Sequence, residues 1–157
     1  MAFIADSLNR IKVSPTMAVT TLAAQLKAEG KSIISLGAGE PDFDTPNNIK
    51  EAAKKAIDDG QTKYTPVGGT AILKKAISDK FKNENNSIYN PSDQITVSNG
   101  GKHIIFNAFV STINKGDEVI IPAPYWVSYP DMVLFSGGKP VILHTSIDSG
   151  FKVSPES

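Results

Sequence analysis

Cysteine is absent from all 157 residues, which excludes disulfides, thiolate nucleophiles and cysteine-held metal. Histidine is nearly as scarce: His103 and His144 are the two in the chain, too far apart in sequence for metal-ligand spacing. Net charge is missing as well, because 16 Lys and Arg residues balance 16 Asp and Glu. No basic stripe or acidic tail marks a nucleic-acid partner. No apolar run reaches membrane-spanning length, and the N-terminus lacks the apolar stretch of a signal peptide. A soluble, cytoplasmic protein with no membrane partner is the expectation. Tryptophan occurs once, at Trp126.

What is present is glycine in informative places. Gln94 to Ser98 is a β-branched run that meets Asn99, Gly100 and Gly101, and Lys102 opens an apolar-periodic segment. This pattern predicts a strand, a tight turn and a helix over 102–113. The first amides of a helix have no intrahelical acceptor, and the macrodipole makes that end partly positive. Glycines let a ligand approach the backbone closely. The turn is therefore a candidate anion seat, for phosphate above all, with a plain strand-to-helix turn as the alternative reading of the same residues.

The chain is long enough for one domain with a sizeable core. Residues 1 to 15 carry little pattern and read as an arm. Helices are predicted over Thr16 to Glu29, stopped by Gly30, and from Thr45-Pro46 (N-cap, then N1 proline) to Asp59. A third carries Ile72, Leu73, Ala76, Ile77 and Phe81 on one face. Ser32 to Leu36 is predicted as a short strand. From Gln94 the rhythm is β-α-β-α-β, with strands at 94–98, 118–122 and 141–145 and a helix around 127–135. Such alternation argues for an α/β fold with a largely parallel sheet, whose ligands sit beyond the carboxyl ends of strands. The final residues, Phe151 to Ser157, read as the start of a further connection, and a fragment of a longer protein is expected.

Four segments, Ser35 to Phe43, Tyr64 to Gly69, Ser98 to Lys102 and Pro124 to Pro130, resemble, in this order and at these separations, the class I pyridoxal-phosphate aminotransferases. The likeness is closest to bacterial aspartate aminotransferases, including the branch that also accepts prephenate. It implies a fold-type I transferase, of which this chain is the N-terminal portion: an arm at 1–14, part of the small domain at 15–45, and the first half of the large cofactor-binding α/β domain from 46 to 157. It implies transfer of an amino group from L-aspartate to 2-oxoglutarate through pyridoxal 5′-phosphate, and a homodimer with a shared active site. Two competing readings are a dinucleotide-binding or other phosphate-binding module and a non-catalytic remnant acting through dimer contacts. Asn99-Gly100-Gly101-Lys102 does not fit the G-x-G-x-x-G pattern of the first.

By the same resemblance, Gly100, Gly101 and Lys102 form the phosphate cup. Trp126 stacks on the cofactor ring and donates to the substrate carboxylate, a core tryptophan being the alternative. Tyr64 reaches the cofactor phosphate of the neighbouring subunit, or else packs locally. Gly39 contacts the substrate α-carboxylate. Lys12, Thr16 and Lys102 grip an acidic side chain; the alternatives are solvated lysines and, for Thr16, a helix N-cap. Asp42 reads as turn chemistry and Asp44 as a solvated charge, while His103 and His144 read as structural. The lysine that carries the cofactor as a Schiff base matches none of Lys27, Lys63 or Lys102 and is expected beyond Ser157, so no catalytic residue is assigned within this chain.

Overall fold

The computed structural model describes residues 3–37 and 39–156. Ala38, inside the Ser35–Phe43 motif, lies outside them, as do Met1 and Ala2 of the expected arm and Ser157. The chain divides into two compact units, one of residues 1–39 with 105–157 and one of residues 40–104.

In the first unit the expected arm holds a 3-10 stretch, Asp6–Arg10. Helix α1 spans Pro15–Ala28 with Pro15 at its first position, where a fixed φ and a missing N–H cost nothing. It ends as predicted: Glu29 N–H donates to Gln25 O at 3.0 Å, and Gly30 follows at φ +82°. The predicted strand at 32–36 joins no ladder, and Ile34 and Leu36 stand 90% and 92% exposed. A strand is defined by its neighbour's amides, which a run of apolar residues does not specify.

Strand β1, Glu118–Ala123, and strand β2, Lys139–His144, pair in parallel with Glu118 opposite Lys139 and Ala123 opposite His144. They are the sheet among the described residues. Parallel neighbours need a crossover, supplied here by α5, Ser128–Phe135. Val119, Ile121 and Ala123 of β1 alternate inward, and Ile121 packs with Met132 and Val133 of α5 to form the buried core of the described residues. The rings of Phe106 and Phe135 add a tilted contact at 5.4 Å.

The second unit carries α2, Asn47–Asp58, and α3, Ala71–Asn85. The sequence points to Thr45 as the cap of α2, but the cap position is taken by Pro46, whose carbonyl accepts from Ile49 and Lys50 N–H at 3.0 and 3.1 Å. Thr70 does cap α3, its Oγ1 accepting from Leu73 N–H at 3.3 Å. Helix α4, Gly101–Thr112, starts at the end of this unit and runs on into the other. The predicted strand at 94–98 also joins no ladder. Its amide link is from Val97 N–H to Gly68 O at 3.0 Å, a single bond where a strand requires a series.

Candidate functional site

The turn before α4 is built by backbone. Gly100 N–H donates to Ser98 O at 2.8 Å, and Gly100 sits at φ +90°, a conformation open to glycine and costly for other residues. The first bond of the helical ladder runs from Ile104 N–H to Gly100 O at 3.3 Å. The N–H groups of Gly101, Lys102 and His103 therefore precede the ladder, at the positive end of the helix. A Cβ placed on Gly100 or Gly101 would meet nothing within 4 Å. Backbone amides at a helix start, glycines whose Cβ positions are unobstructed and a lysine in the same turn together suit a phosphate dianion.

Tyr64 belongs to the same unit. Its loop is closed by Gly69 N–H donating to Pro66 O at 2.9 Å, and its side chain is fully exposed, at 107%, so it does not pack locally. Asp44 is 94% exposed and pairs with Lys50 at 3.4 Å, and Asp42 lies in an exposed bend. Both match their predicted roles as solvated and turn residues.

The first unit holds the others. Trp126 follows β1 across the cis Ala123–Pro124 bond, and its carbonyl accepts from Tyr129 N–H at 3.0 Å, opening α5. At 58% exposure it is no core residue. Lys12 is exposed between the 3-10 stretch and α1. Thr16 is the second residue of α1 and its carbonyl accepts from Thr20 Oγ1–H at 2.9 Å; the cap position belongs to Ser14, so the N-cap alternative for Thr16 fails. Proline at the first helical position places the cap at Ser14, two residues before Thr16. Gly39 is exposed, with nothing within 4 Å of where a Cβ would stand.

Sequence reasoning missed Arg10. Its Nη1 donates to Phe135 O at 3.2 Å, placing a cation on the negative end of α5 and anchoring the segment that leads to Lys12. A basic residue in a patternless arm gives no local signal of so distant a partner. The perturbed charges lie outside the candidate set. Lys139 is held above the usual lysine value, first by its hydrogen bond to Glu118 and then by that carboxylate's charge. Glu156 is held below its usual value, chiefly by a hydrogen bond with the Ser154 side chain. No group of three or more acidic, histidine or cysteine residues among the described residues is arranged to hold a metal, and none of the described helices is long and apolar enough to cross a membrane.

The family described as aminotransferase class I and II matches residues 31–156. The chain belongs to the class I and II aminotransferases. As a member of that family it is 60% identical over 156 residues to the aspartate/prephenate aminotransferase of Cereibacter sphaeroides, covering 99% of this chain and 39% of that protein. It superposes on the aspartate aminotransferase of Rhizobium meliloti with a TM-score of 0.90 at 49% identity, covering 99% of this chain and 39% of the other. For the Thermus thermophilus aspartate aminotransferase with maleate the TM-score is 0.92 at 44% identity, covering 99% and 41%. The α/β fold expected from the alternating pattern is the fold of this family. The chain spans about 39% of the length of the curated relative from Cereibacter.

Proposed function

We propose that this aminotransferase chain supplies the phosphate-binding turn and part of the substrate-binding wall of a pyridoxal-phosphate-dependent aspartate aminotransferase that also accepts prephenate. In this reading residues 1–14 are an arm, 15–45 contribute to a small domain and 46–157 begin the large one. The observation that carries it is the Gly100–Lys102 turn, with its amides ahead of the helical ladder and no atom within 4 Å of a Cβ built on Gly100 or Gly101. The residues present fit the cofactor's phosphate. When bound, pyridoxal phosphate supplies a ring that takes up the electron pair left by a departing α-proton.

The chain's own part is binding and orientation. The N–H groups of Gly101 and Lys102, with the Gly100 turn behind them, hold the phosphate. Trp126 lays a flat apolar ring against the cofactor and offers its Nε1–H to the substrate carboxylate. Gly39 N–H takes the α-carboxylate. Lys12, Thr16 and Lys102 hold the side-chain carboxylate of an acidic amino acid, and closure around these groups excludes water and strengthens each bond. Maleate, with which the Thermus relative's structure was solved, is a dicarboxylate, as an acidic amino acid is. The exposed Tyr64 hydroxyl donates to the phosphate held by a second subunit, in a cytoplasmic homodimer. The lysine that carries the cofactor and handles the α-proton comes from polypeptide this chain does not contain.

Complementation tests the proposal. The chain is produced alone and together with the portion of the Cereibacter relative that it does not match. Aspartate-to-2-oxoglutarate exchange is expected from the pair and not from the chain alone. Turnover by the chain alone, or none from a folded pair, contradicts the proposal.

A further inference from the structure

We infer that Gly69 is a positioning residue for the phosphate turn, setting its depth through Val97; the inference rests on reading Gly100–Lys102 as the cofactor's phosphate site. Gly69 lies at φ +103°, and a Cβ built on it would stand 2.9 Å from both Cβ and Cγ2 of Val97. That is closer than non-bonded carbons pack, at about 3.5–4.0 Å. One residue earlier, Gly68 O accepts from Val97 N–H at 3.0 Å. The backbone of 68–69 thus lies flat against Val97, held by a hydrogen bond and by the absence of a side chain.

This joint is braced on both sides. Thr70 Oγ1 accepts from Leu73 N–H at 3.3 Å and fixes the start of α3. From α3, Lys74 Nζ donates to Ser92 O at 3.0 Å and Ser78 Oγ to Tyr89 O at 2.6 Å. The helix therefore holds the segment at Tyr89 and Ser92, and the residues just before the helix hold it at Val97. Only Ser98 and Asn99 separate Val97 from Gly100, so a displacement of Val97 is passed to the turn. Tyr64 sits five positions before Gly69 on the loop that the same joint holds down. Gly60 provides the contrast: its φ is +75°, yet nothing lies within 4 Å of its built Cβ. Alanine there meets backbone strain without a collision.

The test uses the 157-residue chain and two unreactive alcohols, pyridoxine 5′-phosphate and pyridoxine, neither of which forms an imine with a surface lysine. Equilibrium dialysis gives the ratio of their affinities, which reads the phosphate contact alone. Wild type and Gly60→Ala are expected to share one ratio in favour of the phosphate ester. Gly69→Ala lowers it by about tenfold, the loss of one charge-assisted hydrogen bond. Val97→Ala carries no backbone strain, loosens the same contact from the other side and lowers the ratio in the same direction. It decides the matter if Gly69→Ala does not fold. A lowered melting temperature with an unchanged ratio in folded Val97→Ala overturns the positioning role and leaves the phosphate site standing. No preference for the ester in the wild-type chain overturns the phosphate reading itself, and the inference with it.

Discussion

Trp126 is the single tryptophan of the chain, so its fluorescence reports one environment. At 58% exposure the residue lies largely at the surface. Trp126→Ala is expected to weaken pyridoxine 5′-phosphate and pyridoxine equally, by about fivefold or ~1 kcal/mol each. Equilibrium dialysis checks this, and the preference for the ester is to stay as it was. A change confined to the ester would place the ring at the phosphate instead. At this scale the sequence was legible where a residue's role is local. Asp44 is solvated, and the tight turn expected at Gly100–Gly101 is there, with Gly100 at φ +90°. Thr16 misled because threonine before an apolar run is a cap signal, while Pro15 had already claimed the first helical position. Arg10 was silent because its acceptor, Phe135 O, is 125 residues away.

Among the elements, the helices were readable because each carries its own boundaries. The Gly30 stop after α1 and a helix over 102–113, one residue from the observed Gly101–Thr112, follow from periodicity and glycine placement alone. Thr70 is a cap of the same local kind. Thr70→Ala is expected to cost about 1 kcal/mol, measured by urea unfolding followed by circular dichroism, with Thr70→Ser keeping most of the stability. An unchanged midpoint in Thr70→Ala would show that the bond from Leu73 N–H contributes nothing. Strands were readable only in part. β1 and β2 find each other across α5, whereas 32–36 and 94–98 have strand composition and no ladder. Composition reports that a segment fits a pleated surface, and its partner is set elsewhere in the chain.

At the scale of the molecule, burial is the limiting quantity. Among the described residues the buried hydrophobics are Ile121, Met132 and Val133, while Ile34, Leu36, Ile72 and Ile88 are each 80% exposed or more. Covering a side chain of that size is worth about 1.5–3 kcal/mol, and a domain's whole stability is about 5–15 kcal/mol. Four uncovered residues of this kind are therefore a large fraction of what holds a fold together. The family's α/β character was legible in the β-α-β rhythm, but that rhythm did not group the candidate residues: Gly100–Lys102 and Trp126 belong to different compact units, and the resemblance of the four motifs to the family is what proposes them together. The central claim is that the backbone ahead of α4 binds a phosphate. The most direct measurement is an amide-resolved NMR titration of the chain with pyridoxine 5′-phosphate. The largest shifts are expected at Gly100, Gly101, Lys102 and His103, reversed by competing inorganic phosphate. Shifts elsewhere with those four amides unmoved would contradict it.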